Sequence, residues 1–182
     1  MNLNEKQLTS KLVYDGGLLK VYYDTVELID GRTAWREVIR HPGAVVMVPV
    51  DDEGNVYLVR QFRYPYDRVL LEVPAGKLEW GEAHFDAARR ELEEEIGARA
   101  ERWTPMGEML PTPGFCDELQ HVYLARGLTF GACHPDEDEF LEPVKLPLRE
   151  AVEMAVDGRL EDSKTVAAVL RAWHWMERER DG

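Results

Sequence analysis

The run AVVMVPV, residues 44–50, constrains the fold more than any other stretch of the chain. Its apolar residues, mostly β-branched, carry no alternating polar partner, the pattern of a strand covered on both faces. It therefore predicts the middle of a core sheet with something packed on each side. The turn DDEGN and the run VYLVRQFR follow at once and predict its paired neighbour. VLLEVPAG predicts a further strand, which Pro74 and Gly76 bring to an end.

The segments on either side differ in character. KLVYDG, LKVYYDTVELID and GRTAWREVIR, with Gly16-Gly17 and Asp30-Gly31 as hairpin signals, predict a small antiparallel unit over residues 1–41. The main domain is expected over 42–182, after His41-Pro42-Gly43. Within it, ERWTPMGEML and LQHVYLARGL predict strands separated by the loop PTPGFCDE, and HPDEDEFLEP predicts an acidic loop. LREAVEMAVDG and SKTVAAVLRAWHWMERER show helical spacing, with Gly158 as a C-terminal stop and Ser163 as an N-cap. Strands, then a helix, then strands, then helices imply an α+β class in which helices flank a mixed sheet.

A net charge of −13, from 22 basic and 35 acidic side chains, disfavours nucleic acid and anionic membranes as partners. A phosphorylated substrate would need cations to approach. Cys116 and Cys133 form no CxxC pair, so neither a zinc site nor a disulfide is expected, and a reducing cytoplasm fits. MNLNEKQLTSKLVY lacks the apolar segment of a signal peptide, and no apolar run reaches the roughly eighteen residues of a membrane span.

Against that acidic background, RELEEEIG at residues 90–97 concentrates still more negative charge. On a helical wheel Phe85, Ala88, Leu92 and Ile96 fall within about 80° and form an inward stripe. Glu91, Glu94 and Glu95 share an arc of roughly 100° beside it, whereas Glu93 points away. Like charges at these spacings, near the helix C-terminus, are unfavourable by a few tenths of a kcal/mol per pair. A compensating positive charge is expected, and clustered carboxylates are hard ligands suited to Mg²⁺ or Mn²⁺.

GKLEWGEAHFDAARRELEEEIGA, residues 76–98, resembles the Nudix box: glycine, five residues, Glu82, seven residues, then Arg90-Glu91-Leu92, Glu94-Glu95 and Gly97, with Ala98 a small version of the last aliphatic position. The resemblance to Nudix hydrolases implies a Nudix fold, with a mixed β-sheet sandwiched between α-helices, and divalent-metal-dependent hydrolysis of a nucleoside diphosphate linked to another group. It makes Glu91 and Glu95 metal ligands, Glu94 a further acidic ligand or water-mediated contact, and the Ala75 carbonyl a backbone ligand. Arg90 would brace the carboxylates, and Glu82 would orient the loop or touch a metal.

Outside the box, REVIRHPGAVVMVPV, VRQFRYP, LLEVPAGKLE, TPGFCDE and DEDEF look like the ADP-ribose pyrophosphatase branch, with Pro113 fifteen residues beyond Ala98. The resemblance implies Arg36, Arg63, Pro113 and Gly114 as substrate-binding residues, the arginines also having the ordinary reading of surface ion pairs. Trp35, Tyr64 and Tyr66 have both a stacking reading and the commoner one of core or interface. Glu137 is the expected general base, with Glu139 as the alternative base or a further metal contact. The implied reaction converts ADP-ribose, or another ADP-sugar, to AMP and a sugar phosphate, ribose 5-phosphate in the first case. GDP-mannose is the alternative substrate, and a Nudix-fold sensor without turnover is disfavoured by the intact box. The branch also implies a homodimer formed through the N-terminal strands, the alternative being that this unit packs only on its own chain.

Overall fold

The computed structural model describes residues 3–134 and 140–181. The chain divides into two compact units, Met1–Gly43 with Leu110–Leu119, and Ala44–Met109 with Gln120–Gly182.

In the first unit, β1 (Lys6–Asp15), β2 (Lys20–Glu27) and β3 (Thr33–Arg40) form an antiparallel sheet in that order. The Asp30-Gly31 turn closes with a 2.9 Å bond from the Gly31 N–H to the Leu28 carbonyl, and Gly31 takes φ +81°, which a side chain would strain. All ten residues of β1 are exposed, Leu8, Leu12, Val13 and Tyr14 among them. Leu110–Leu119, expected as a loop of the main domain, clusters with this sheet. The Ile39 N–H donates to the Phe115 carbonyl at 2.7 Å, and the Asp117 carboxylate accepts from the His41 N–H at 2.7 Å and Arg40 Nη1 at 3.2 Å. Local pattern carries no trace of contacts between segments so far apart in sequence.

The second unit contains β4 (Ala44–Val50), β5 (Asn55–Arg63), β6 (Arg68–Glu72), β7 (Ala75–Lys77), α1 (His84–Ile96), β8 (Ala98–Met109), β9 (Gln120–Phe130), β10 (Leu141–Pro147), α2 (Leu148–Asp157) and α3 (Ser163–Asp181). The main path of the sheet runs β10-β5-β4-β9-β8, with β6 paired to β5 and β7 to β4. β4 and β9 run parallel while β5 and β7 run antiparallel to β4, so the sheet is mixed. All seven residues of β4 are buried, as its continuous apolar run predicts.

The two faces of β4 feed two cores. Val46, Val48 and Val50 pack with Leu148 and Ala151 of α2 and Ala168, Val169 and Ala172 of α3. Val45 and Met47 pack with Ala87, Ala88, Leu92 and Ile96 of α1. The result is a helix–sheet–helix sandwich, each core driven by removal of apolar area from water.

Four local expectations need correction. Ser163 is the first helical residue, and the cap is Asp162, whose Oδ2 accepts from the Thr165 N–H at 2.9 Å. Phe85 does not join the buried stripe but stays 39% exposed, its ring set edge-on to Trp103, because it lies in the first turn. The strand predicted from VLLEVPAG breaks at Val73-Pro74 and resumes as β7. The tail of HPDEDEFLEP enters β10, a strand hidden by Pro143 and Pro147 and tolerated because β10 is an edge. Gly158 does end α2, at φ +84°.

Leu124, fully buried on β9, faces the core shared with α2 and α3. Replacing it with alanine is expected to cost about 2–5 kcal/mol in urea unfolding. A loss below about 1 kcal/mol would show that this layer is not closely packed.

Candidate active site

α1 carries the acidic cluster because its opposite face is apolar and docked, which fixes its rotation about its own axis. Gly97 ends it at φ +64°, with its N–H bonded to the Glu93 carbonyl at 3.0 Å. A Cβ there would also lie 2.7 Å from the Gly131 carbonyl oxygen, so glycine is needed twice over. Upstream, Glu82 and Glu79 bond reciprocally: the Glu79 N–H donates to Glu82 Oε2 at 2.9 Å and the Glu82 N–H to the Glu79 carbonyl at 3.0 Å. That turn sets Glu82 opposite Arg90.

Arg90 is the compensating cation that the acidic run requires. Its Nε and Nη2 reach Glu82 Oε1 and Oε2, each at 3.1 Å, and its Nη1 bonds Glu91 Oε1 and Glu94 Oε2, each at 2.8 Å. Those hydrogen bonds, led by Glu82, push the Arg90 pKa further upward, and the same pair holds the Glu82 carboxyl below its ordinary value. Glu95 turns inward, only 5% exposed, and its Oε2 accepts the Ala75 N–H at 3.2 Å. Glu91 lies against Gly76, where any Cβ would stand 1.8 Å from its carboxyl carbon. Glu93 lies apart and pairs with Arg99 on the surface.

The wheel expectation thus holds in part. Glu91 and Glu95 do meet the β7 segment, while Glu94 is held to Glu91 through Arg90. Among the described residues no three His, Cys, Asp or Glu side chains are gathered closely enough to hold a metal ion together. The donor set nevertheless fits a hard divalent ion. Glu82, Glu91, Glu94 and Glu95 are four carboxylates, Arg90 is the one cation bonded to three of them, and a glycine leaves room at the Glu91 carboxylate.

Arg63, expected on a substrate phosphate, sits in the same unit but is committed to a buried partner. Its Nε and Nη2 donate to the two oxygens of Glu72, both at 2.7 Å, and Glu72 is only 2% exposed. Lys164 also bonds Glu72, and its Nζ lies 3.0 Å from Asp162. The network went unrecognised in the sequence, although Glu72 inside VLLEV is a charge in a strand and so demands buried partners. Arg36, Pro113 and Gly114 belong to the first unit. Arg36 is paired with Glu5 and donates from Nη1 to the Trp35 carbonyl at 2.8 Å. With Trp35, Gly114 and Phe115 it lines a recess of about 570 Å³, and Trp35 stacks on Tyr23 at 6.0 Å. Tyr64 and Tyr66 are exposed. Glu137 and Glu139 lie outside the described residues.

The NUDIX domain model matches residues 40–169, and the chain belongs to that family. It is 41% identical over 167 residues to the methanol dehydrogenase activator of Bacillus methanolicus, covering 91% of this chain and 90% of the relative. It is 39% identical over 170 residues to the ADP-ribose pyrophosphatase of Bacillus subtilis, covering 92% of each. A solved ADP compounds hydrolase superposes with a TM-score of 0.87 over 98% of each chain at 24% identity, a likeness of fold.

Burial alone would raise the Glu72 pKa, but the hydrogen bonds and charges of Arg63 and Lys164 outweigh it and hold the carboxyl below its ordinary 4.5. A depressed folded pKa stabilises fully above pH 4.5, and that contribution is lost as pH falls below it through the folded value. Stability should therefore decline over that acid window. Glu72→Gln should be less stable at pH 7 and show a shallower acid decline in urea titrations at several pH values. An unchanged slope in the variant would remove Glu72 from the account.

Proposed function

We propose that the protein is a divalent-metal-dependent Nudix pyrophosphohydrolase that cleaves the diphosphate of ADP-ribose, or another ADP-sugar, to AMP and a sugar phosphate. The observation that carries this reading is the packed carboxylate cluster of Glu91, Glu94 and Glu95 around Arg90, Ala75 and Gly76. The 39% identity to an ADP-ribose pyrophosphatase over nearly the whole chain supports the substrate class.

Glu91, Glu95 and the Ala75 carbonyl would hold Mg²⁺ or Mn²⁺, with Glu94 beside them. A bound ion of this kind neutralises diphosphate charge and lowers the pKa of a coordinated water. Arg90 keeps Glu91 and Glu94 from springing apart before substrate arrives, so little reorganisation is needed in the reaction. Glu137, or Glu139 in its place, would accept the proton of the attacking water. Its oxygen bonds to one phosphorus while the bridging P–O bond breaks, and the electron pair leaves with the other phosphate. Arg36, with Pro113 and Gly114 of the same unit, would receive part of the substrate. Arg63 would contribute the guanidinium edge that Glu72 does not occupy.

A homodimer through the exposed β1 belongs to this proposal. A ten-residue strand with four large apolar side chains open to solvent is an edge that proteins rarely leave uncovered. Among the described residues no helix is long and apolar enough to cross a membrane, and both cysteines are free, which suits a reducing cytoplasm. Sedimentation should give twice the 20.9 kDa chain mass, and a monomer at micromolar concentration would exclude the dimer.

With Mg²⁺, ADP-ribose should be hydrolysed faster than GDP-mannose, NADH or diadenosine polyphosphates, as read by phosphate released with added phosphatase. Glu95→Gln should lower kcat by orders of magnitude with the fold intact, while Glu93→Gln should retain most activity. Undiminished turnover after exhaustive chelation, or equal losses from both variants, would overturn the assignment. GDP-mannose as the best substrate would redirect it, and no turnover of any would favour a sensor.

A further inference from the structure

The main chain beneath the carboxylate cluster is held by contacts that lie outside the cluster itself. Glu95 and Glu91 rest on the short segment 73–76, and its polar main-chain groups are engaged from three directions. The Ala75 N–H donates to Glu95 at 3.2 Å, and the Pro74 carbonyl accepts from the Met47 N–H at 2.9 Å. The Val73 N–H donates to Thr165 Oγ1 at 2.9 Å, across 92 residues of sequence.

Thr165 is fully buried and its hydroxyl is used in both senses. While accepting from Val73 it donates to Asp162 Oδ2 at 2.6 Å. That oxygen also caps α3 and is bonded by Lys164, whose ammonium reaches Glu72 at the end of β6. The hydroxyl is therefore oriented by the cap, and the amide it receives lies two residues before the one bonded to Glu95. Valine at this position would keep the shape, leave the Val73 N–H buried without a partner, and free the 73–76 turn to shift against α1.

We propose that Thr165, oriented by Asp162, is a positioning residue for the metal-binding carboxylates: it acts through the Val73–Ala75 main chain and touches neither metal nor substrate. The inference rests on the hydrolase reading for the identity of the bound ion. It goes beyond that reading in giving the start of α3, on the far face of the sheet from α1, a part in metal affinity.

The test compares Thr165→Val, Thr165→Ser and a core truncation, Val56→Ala, which is fully buried but hydrogen-bonds nothing through its side chain. Mn²⁺ binding to each is measured by calorimetry without substrate, beside thermal unfolding and the Mg²⁺ concentration giving half-maximal hydrolysis. Thr165→Val should weaken Mn²⁺ binding and raise the half-maximal Mg²⁺ concentration by about tenfold, in line with loss of an outer support of a metal site. Thr165→Ser should restore both, and Val56→Ala should lower the unfolding temperature with metal affinity unchanged. Wild-type affinity in folded Thr165→Val, failure of serine to restore it, or an equal loss of affinity in Val56→Ala would overturn the proposal. If Thr165→Val does not fold, the outcome passes to Thr165→Ala beside Thr165→Ser, with the same expectations. Wild-type protein that binds Mn²⁺ but hydrolyses nothing would sink the hydrolase reading and leave this one standing.

Discussion

Three nitrogens carrying five N–H donors on a single planar group are the constraint around which the acidic helix is arranged. Carboxylates at positions 91, 94 and 95 of one helix repel each other, and the helix dipole works against them near the C-terminal end. Arg90 meets Glu82 with one edge of its fork and Glu91 and Glu94 with the other. A lysine could supply the charge but not this simultaneous, directed contact with three carboxylates. The arginine ties the loop before α1 to the helix itself and leaves excess negative charge for a second cation to satisfy.

Docking of α1 makes that arrangement specific. Ala87, Ala88, Leu92 and Ile96 close one core, which fixes the rotation of the helix and delivers Glu91 and Glu95 to the β7 segment instead of to solvent. Gly76 then decides how close the approach can be, since a methyl group would occupy the space of the Glu91 carboxylate. The short β7 can sit there because β5 takes up β4 only at its far end, through the Val50–Val56 pair. Fold and site are coupled at this division of β4 between two partners.

Much of this was legible in one dimension. The continuous apolar run of β4 announced a strand with two covered faces, and the 3.6-residue stripe of α1 placed Glu93 apart from its neighbours. What stayed hidden has a common physical origin. The fork of Arg63 on Glu72 joins two strands and the reach of Thr165 to Val73 spans 92 residues of sequence, and no periodicity encodes either contact. β10 was obscured for another reason: two prolines argue against a strand unless its outer edge is known to lack a partner. Leu110–Leu119 reads as a loop, and its hydrogen bonds to Ile39, Arg40 and His41 go with its clustering in the first unit.

The buried charges around Glu72 show why such hidden contacts matter to chemistry. Glu72 and Asp162 against Arg63 and Lys164 form a neutral set, so the buried charge of Glu72 is compensated while the Arg63 side chain stays 38% exposed. Apolar residues of similar volume could fill that space at no cost in stability, and often at a gain. What they could not do is hold the main chain between β6 and β7 at one height relative to α1, because apolar contacts are non-directional and hydrogen bonds are not. Retaining charge at the end of β6 is thus understood as directional control of the few residues on which Glu91 and Glu95 rest.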